Sequence, residues 1–382
     1  MIVYYTMLGV SAIMAWLQTM MKQKARRVSA FVCIAVPLCV ISAIRAYTVG
    51  ADTSMYAIDW ALPEIRSSSL ADIFQAGRWE IGFAILCKLM FLFPNPARAL
   101  LFFSSLIIFS ITTFAIFHLT DKPAVAFTLY LLSGTFYNDL SLMRQAIAMS
   151  LFLIGLIPLR RGKTPIYCII IIFAALFHKS ALVMLLLPIL MWILRRKSKR
   201  LTAIGIVIGL FLILLTPISL LEKLLGGAGY DNYVQNEQFG SSGHLTPILY
   251  IICFLLWQIS YRISTRLEET KNSVSSTYIN KNETNLVYGI IILGFIISFA
   301  SLRLAILFRI AAYCFVAITP LLANSRNTSI SGRSNSIGVT LLYAPYIVLF
   351  IFTTYRVPTW TAVFPYELMD FSNDFMFSSN FF

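Results

Sequence analysis

The stretch ALLFFSSLIIFSITTFAIF, residues 99–117, carries no charged side chain and is long enough to cross a lipid bilayer as one helix. About 20 apolar residues, each rising about 1.5 Å, span the hydrocarbon core of a membrane. Apolar stretches recur along the 382-residue chain, which is 59% hydrophobic and only 12% charged. Because soluble domains carry about 25% charged residues, the composition predicts an all-α, polytopic integral membrane protein.

Thirteen apolar segments are candidates for membrane helices, and residues 1–382 are therefore predicted to form a single transmembrane domain. The segments are 2–20, 28–46, 80–93, 99–117, 123–137, 140–159, 164–177, 178–194, 201–221, 247–261, 285–301, 304–322 and 337–354. The polar regions that matter most for orientation are the loops 47–79 and 222–246 and the C-terminal tail 355–382.

Clusters of lysine and arginine indicate which side of the membrane each loop faces. Cytoplasmic loops are enriched in these residues, so the clusters at 22–27, 160–163 and 195–200 are predicted to be cytoplasmic. The two polar loops and the tail named above then face outward. The basic clusters account for much of the net charge of +14, and this charge therefore does not indicate a nucleic-acid partner.

The region between residues 80 and 159 breaks the alternation of sides. Four full crossings there would carry the cluster 160–163 to the outer side, so one segment must fail to cross. The two shortest segments, 80–93 and 123–137, are the alternatives for a re-entrant segment, which requires protein or water around its backbone. The sequence thus predicts about 12 to 13 transmembrane helices with both termini outside.

Ionisable side chains within or beside the apolar segments are the candidates for chemistry, because membranes tolerate them only where they are paired, hydrated or functional. Three arginines lie inside predicted helices: Arg144, Arg303 and Arg309. Other candidates lie in loops or at segment ends: Arg45, Asp52, Tyr56, Arg78, Glu80, Asp139, His178 and Lys179. An interfacial position is the alternative for Arg45 and Lys179, and a helix cap is the alternative for Asp139.

Arginines near a membrane surface suit an anionic ligand, because guanidinium groups bind phosphate oxygens through paired hydrogen bonds. A lipid-linked diphosphate is such an anion. All carboxylates lie in loops or at segment ends, which disfavours a proton-coupled carrier with acids at mid-membrane. No nucleotide-binding, zinc-protease or serine-hydrolase motif occurs, and the three histidines are dispersed. We therefore predict neither a metal nor a cofactor.

Five motifs, in order, resemble those of the EpsG/Wzy family of bacterial polysaccharide polymerases. They are Arg45 with Val49-Gly50-Ala51-Asp52-Thr53 and Tyr56, then Glu80-Ile81-Gly82-Phe83, then Met143-Arg144-Gln145-Ala146-Ile147-Ala148, then Phe177-His178-Lys179-Ser180-Ala181-Leu182, and finally Arg309 with Tyr313 and a late Pro365-Tyr366. Each motif alone is weak, but their order makes the resemblance fairly specific. It covers residues 45 to 366, which is most of the chain.

The resemblance implies a GT-C-like polymerase or ligase architecture and a glycosyltransferase activity. Such an enzyme joins undecaprenyl-diphosphate-linked oligosaccharide repeats at the outer, periplasmic face of the bacterial inner membrane. The product would be O-antigen of lipopolysaccharide, capsule or exopolysaccharide. The expected partners are the lipid-linked oligosaccharide, membrane lipid, and a flippase and a chain-length regulator of the same pathway.

Glycosyl transfer from a diphosphate requires stabilisation of the departing anion and a base for the acceptor hydroxyl. The residues assigned to the diphosphate are Arg144, Arg303 and Arg309, with Arg45 in support. His178 is the first candidate for the base, because an unperturbed imidazole has a pKa of about 6.5. Glu80 and Asp52 are the alternatives, and either could instead orient an arginine. The residues assigned to the sugars are Tyr56, Tyr313 and Tyr366.

Two other activities remain open at this point. An O-antigen ligase-like glycosyltransferase shares the donor chemistry and differs only in its acceptor. A flippase for lipid-linked oligosaccharides would also need a basic cavity. Transporters of that kind commonly consist of two related halves, and no internal repeat is evident in this chain.

Overall fold

The computed structural model describes residues 2–195, 245–271, 281–303, 307–323, 343–352, 354 and 362–370. Within these ranges the chain is helical and contains no β-strand, which confirms the predicted all-α, polytopic class. Among the described residues, six helices are long and apolar enough to cross a membrane, and five more apolar helices are shorter. Because residues 196–244 lie outside the described ranges, the number of crossings stays a prediction, as does the outer loop 222–246.

The helices are numbered here in chain order. They are α1 (Ile2–Met20), α2 (Gln23–Ala43), α3 (Ala61–Ser67), α4 (Leu70–Ala76), α5 (Ile81–Met90), α6 (Pro96–Leu119), α7 (Pro123–Leu132), α8 (Thr135–Ser141), α9 (Met143–Arg160), α10 (Thr164–Ala175), α11 (Leu186–Arg195), α12 (Leu245–Lys271), α13 (Lys281–Ala300), α14 (Phe308–Ala323) and α15 (Tyr343–Phe352). A π-helical turn, Met55–Asp59, precedes α3, and a 3₁₀ turn, Lys179–Leu185, precedes α11.

The chain divides into two compact units. Unit 1 comprises Met1–Ile157, Pro165–Leu182 and Leu349–Phe382, and unit 2 comprises Pro158–Thr164 and Val183–Val348. Each unit is described by itself below, and the single domain expected from the sequence stays a prediction. Unit 2 contains a buried aromatic cluster in which Trp257 packs against Phe254, Phe315 and Tyr346.

In unit 1 the C-terminal segment 362–370 returns to the end of α2. The amide of Ala46 donates to the carbonyl of Glu367 at 2.9 Å, and the amide of Met369 donates to Ile44 at 2.9 Å. The ring of Tyr4, on α1, is buried and its hydroxyl donates to the carbonyl of Val363 at 3.0 Å. Hydrogen bonds and aromatic packing thus tie the segment to both N-terminal helices.

Five helix ends of unit 1 meet at one place, which we call the Arg45 end: α2 and α8 end there, and α5, α6 and α9 begin there. Arg98, in the first turn of α6, donates from Nη1 to the carbonyl of Arg45 at 2.6 Å. Arg45 in turn donates from Nη2 to the carbonyl of Leu140, near the end of α8, at 3.2 Å. The opposite end of the unit includes Gln23 and Asp121, which form a 2.6 Å hydrogen bond.

Of the two alternatives for the re-entrant segment, the helix contacts favour 80–93, and its re-entrant position stays a prediction. Its helix α5 has 10 residues, which is about 15 Å and roughly half of the membrane core. The segment starts at the Arg45 end, where Glu80 contacts Arg144, and the chain returns there to begin α6. The alternative segment, 123–137, instead connects the two ends of the unit through α7 and α8. If one of the four segments is re-entrant, the basic cluster 160–163 lies on the cytoplasmic side, as its charge predicts.

The loop between α2 and α5 is itself helical. Ser69 caps α4 in a reciprocal capping box with Asp72, and the hydrogen bond from the Ser69 side chain helps to hold the pKa of the Asp72 carboxyl below its ordinary value. Lys88, near the end of α5, donates from Nζ to the carbonyl of Ser68 at 2.7 Å. This contact satisfies a carbonyl at the C-terminal end of α3 and holds the loop against α5.

Gly50 permits the turn that follows α2 to lie directly on the end of α8. Its φ is +102°, and a Cβ there would lie 2.4 Å from the carbonyl oxygen of Leu140 and 2.4 Å from Oγ1 of Thr53. The Thr53 hydroxyl donates to the carbonyl of Val49 at 2.9 Å, and the amide of Ala51 donates to Oγ of Ser141 at 2.8 Å. The Val49–Thr53 motif therefore sets the position from which α9 begins.

The substitution Gly50→Ala is expected to lower the free energy of unfolding by about 1–3 kcal/mol, because the added methyl group overlaps backbone atoms that cannot rotate away. Thermal unfolding in detergent, followed by size-exclusion chromatography, measures the effect. Gly9→Ala is the matched control, since nothing lies within 4 Å of a Cβ at that helical position. Equal stability of the two variants would contradict the packing of this turn.

Candidate functional site

An ion pair between Glu80 and Arg144 forms the centre of the candidate site at the Arg45 end. Glu80 is the residue before α5, and Arg144 is the second residue of α9. Nη1 of Arg144 lies 2.6 Å from Oε2 of Glu80, and the two side chains are 17% and 8% exposed. Hydrogen bonds between charged groups are the strong ones in proteins, so this pair fixes the start of α9 against the start of α5.

The second oxygen of Glu80 faces the turn after α10. Oε1 accepts a hydrogen bond from the amide of Lys179 at 3.3 Å and lies 3.7 Å from Nδ1 of His178. The latter distance is in the range of an ion pair but too long for a hydrogen bond. Lys179 also donates from Nζ to the carbonyl of Gly77 at 3.1 Å. One carboxylate thus connects Arg144 with His178.

Gly82 allows Glu80 to lie beside His178 and Lys179. Its amide donates to the carbonyl of Leu176 at 2.8 Å, and a Cβ on Gly82 would also lie 2.8 Å from that oxygen. Any larger residue would push the start of α5 away from the end of α10. The glycine therefore brings Glu80 within reach of the His178-Lys179 pair.

Three buried rings surround the guanidinium of Arg144. Its Cζ lies 5.1 Å from the ring centroid of Tyr56, 5.0 Å from Trp79 and 5.7 Å from Phe83. A cation near aromatic rings is stabilised by their quadrupoles, and the effect grows when water is excluded. Nε of Arg144 is buried and has no hydrogen-bond partner among the residues that the structure describes. Arg144 thus retains donor capacity beside its ion pair.

Asp52 reaches this cluster through Tyr56. The Tyr56 hydroxyl donates to Oδ2 of Asp52 at 3.3 Å, and its ring packs edge-on against Phe83 with centroids 5.5 Å apart. Four of the residues predicted from the sequence, namely Asp52, Tyr56, Glu80 and Arg144, therefore lie in one cluster, and His178 adjoins it.

Arg45 lies at the same end of the unit but is used differently. It is 2% exposed, and each nitrogen of its guanidinium donates to the protein. Nε donates to the carbonyl of Val49 at 3.3 Å, Nη2 donates to Leu140 at 3.2 Å, and Nη1 donates to the carbonyl of Ser42. Arg45 thereby joins α2, the following turn and α8, and it is not the interfacial side chain considered from the sequence.

Two further predicted residues of unit 1 are also engaged in packing. The hydroxyl of Tyr366 donates to the carbonyl of Ile41 at 2.8 Å, and its ring packs edge-on against Tyr4 at 5.5 Å. Asp139 is buried inside α8, where its carboxylate accepts a hydrogen bond from Tyr130, so it is not the N-cap of the helix that follows, α9.

The remaining predicted residues belong to unit 2. Arg303 follows α13 and is half-buried, Arg309 lies in the first turn of α14 and is also half-buried, and Tyr313 is fully buried in α14. Their assignment to the diphosphate and to the sugars stays a prediction.

Trp79, Phe83 and Gly82 are site residues whose roles the sequence did not reveal. Gly82 and Phe83 stand in the motif that begins at Glu80, and Trp79 directly precedes it. Their proximity in sequence to a charged residue was the available signal. An aromatic residue at the end of a membrane segment is usually an interfacial anchor, so nothing marked these rings as neighbours of Arg144.

The fold and the cluster define a polytopic all-α membrane protein with a half-buried arginine that is lined by aromatic rings and lies near a histidine. The chain belongs to the EpsG family, whose sequence model matches residues 4–368, nearly the whole chain. This membership points to a polysaccharide polymerase-type function with a glycosyltransferase-like activity. No curated protein and no solved structure matches the chain, and the GT-C-like architecture stays a prediction.

Proposed function

We propose that the protein is a polysaccharide polymerase that transfers a growing glycan from its lipid diphosphate to the next lipid-linked repeat. The observation that carries this proposal is the half-buried guanidinium of Arg144, which has a charged partner, three aromatic neighbours and a buried Nε that bonds to none of the described residues. A cation in such a low-dielectric setting interacts strongly with an anion that enters it. A departing lipid diphosphate is an anion of this kind.

The Glu80 carboxylate holds Arg144 in position before the substrate arrives. When a diphosphate approaches, its oxygens share the guanidinium with Glu80, and the free donor adds a further hydrogen bond. The arginine is thus pre-organised, and little reorganisation is needed when charge develops on the leaving group. Arg303 and Arg309 remain proposed further ligands of the diphosphate, and no metal ion is required by this scheme.

His178 is the proposed general base for the acceptor hydroxyl. Glu80 is the positioning residue in this scheme, because its Oε1 lies 3.7 Å from Nδ1 of His178 and an adjacent carboxylate stabilises the imidazolium that forms when the base takes a proton. Glu80 is the weaker base candidate, since its two oxygens already contact Arg144 and the Lys179 amide. Asp52 is weaker still, because it acts through the hydroxyl of Tyr56.

The site is proposed to face the outer side of the bacterial inner membrane. In support, Arg144 is the second residue of α9, and this helix ends 16 residues later at Arg160, beside the basic cluster that is predicted to be cytoplasmic. The proposed partners are undecaprenyl-diphosphate-linked oligosaccharide, membrane lipid, and a flippase and a chain-length regulator of the pathway. O-antigen, capsule and exopolysaccharide all remain possible products.

Complementation of a deletion strain tests the proposed activity. The wild-type gene is expected to restore a ladder of long glycans on a gel, whereas the empty vector leaves the acceptor lipid with single repeats. Long glycans that accumulate on the carrier lipid in the deletion strain would instead identify a ligase, and repeats that remain on the cytoplasmic side would identify a flippase.

Arg45 is proposed to stabilise the fold and not to bind the diphosphate. Arg45→Gln is expected to lower the free energy of unfolding by several kcal/mol, because each buried acceptor that loses its donor costs about 1–3 kcal/mol. The polymer made per folded molecule should stay within about twofold of wild type. Thermal unfolding in detergent and glycan quantification provide the two readouts, with exposed Arg66→Gln as the control. Normal stability combined with lost polymer would return Arg45 to the binding site.

A further inference from the structure

The helical loop before α5 presents an exposed aromatic ring with charged neighbours. Trp60 is 39% exposed, although the guanidinium of Arg78 lies 3.6 Å from the centroid of its ring and covers one face. Nη1 of Arg78 is 3.2 Å from Oε2 of Glu64, and these two side chains are 41% and 30% exposed. An indole with accessible surface is thus bordered by a donor and an acceptor.

A continuous series of rings connects Trp60 with the guanidinium of Arg144. Trp60 packs edge-on against Trp79 with centroids 6.1 Å apart, and Trp79 packs in the same way against Tyr56 at 6.3 Å. Both Trp79 and Tyr56 also surround Arg144. A single ring, that of Trp79, therefore lies between Trp60 and the cation that is proposed to bind the diphosphate.

We propose that Trp60, Arg78 and Glu64 form a glycan subsite, which binds a pyranose ring of the oligosaccharide at a distance from the diphosphate. The apolar C–H face of a pyranose stacks on an indole, while its hydroxyls take hydrogen bonds from the guanidinium and donate them to the carboxylate. This inference rests on the proposed function, because it assigns the sugar portion of the same lipid-linked substrate.

The arrangement favours a sugar over the membrane interface as the partner of Trp60. A lipid-facing tryptophan places its apolar ring toward acyl chains, but contact of this ring with lipid would also desolvate the Arg78–Glu64 pair. A sugar instead offers hydroxyls that accept hydrogen bonds from Arg78 and donate them to Glu64, and it retains water at their edge. Pre-positioning of Arg78 by Glu64 reduces the conformational entropy lost when the sugar binds.

Binding of a glycan without its lipid diphosphate tests the subsite directly. The probe is the repeat-unit oligosaccharide released from the lipid carrier of the host strain by mild acid, added to purified full-length protein and followed by saturation-transfer NMR. We expect binding to wild type, about tenfold weaker binding to Trp60→Ala, and an intermediate loss for Arg78→Gln. Trp60→Phe, which retains a ring, should keep most of the affinity.

The matched control is Trp16→Ala, since Trp16 on α1 is 63% exposed and has no place in the proposed subsite. Unchanged binding by both Trp60→Ala and Arg78→Gln, or no binding by wild type at millimolar probe, would overturn the subsite. Arg144→Ala should bind the probe normally although it makes no polymer. If Arg144→Ala makes full-length polymer while Trp60→Ala loses the glycan, the proposed diphosphate chemistry fails and the subsite stands.

Discussion

Arg144→Ala is expected to reduce polymer formation by about 100- to 1,000-fold, the usual effect of removing one pre-organised group that stabilises a departing anion. The guanidinium lies against Glu80 and three rings, so the substitution removes both the positive charge and the hydrogen-bond donors from this position. Arg45, the nearest alternative in the motif series, already donates to three backbone carbonyls. The cells should therefore accumulate lipid that carries single repeats.

Substitution of Arg144 by lysine tests whether a positive charge is sufficient or the planar guanidinium is required. Arg144→Lys keeps the positive charge but loses the planar fork that binds two oxygens together, and it is expected to restore less than about a tenth of the activity. Arg66→Ala, an exposed arginine on α3, is the matched control and should produce a normal ladder. Polymer yields are compared after the amount of folded protein has been measured by size-exclusion chromatography. A normal ladder from Arg144→Ala would remove this residue from the mechanism.

His178→Ala is expected to reduce the rate of glycosyl transfer by about 100- to 10,000-fold, which is the usual contribution of a general base. The purified protein should still bind the lipid-linked donor, because the proposed diphosphate ligand Arg144 is unchanged. A gel ladder together with a donor-binding assay measures the two properties separately. His118→Ala is the control, since His118 is exposed near the end of α6 and contacts the carbonyl of Phe114.

Glu80→Gln distinguishes the two principal candidates for the base. If His178 is the base and Glu80 positions it, Glu80→Gln should retain part of the activity, because the amide oxygen can still accept a hydrogen bond from Lys179. If the Glu80 carboxylate is the base, Glu80→Gln should lose as much activity as His178→Ala is predicted to lose. A full-length ladder from His178→Ala would contradict the assignment of His178.

Much of the fold could be predicted because a membrane imposes a strong requirement on composition and helix length. The charge pattern indicated that one segment between residues 80 and 159 does not cross, segment length left two alternatives, and only contacts such as that of Arg98 with the carbonyl of Arg45 favour one of them. The motif order placed Glu80, Arg144 and His178 among the candidates. Arg144 and His178 both lie beside the Glu80 carboxylate because Gly82 lets the start of α5 pack closely against the end of α10. Sequence spacing does not reveal this packing.

Arg45 and Tyr366 show why charge and aromaticity alone overestimate a binding site. Arg45 stands at the end of a membrane segment and Tyr366 lies in the predicted outer tail, and an ionisable or amphipathic side chain at either place suggests function. Their partners include backbone carbonyls far away in sequence, that of Leu140 for Arg45 and that of Ile41 for Tyr366. Because every residue has a backbone carbonyl, no sequence pattern identifies such an acceptor. Trp79 shows the opposite error, because sequence reasoning did not assign it to the site. Its ring becomes a neighbour of Arg144 only in the folded protein.

Reconstituted turnover tests the central claim most directly. Purified protein in lipid nanodiscs is supplied with the lipid-diphosphate-linked repeat, and mass spectrometry measures both the glycan length and the released lipid diphosphate. We predict that wild type forms glycans of two or more repeats, that each new glycosidic bond releases one lipid diphosphate, and that Arg144→Ala forms neither product. Polymer from Arg144→Ala at the wild-type rate, or no elongation by the folded wild type, would contradict the account.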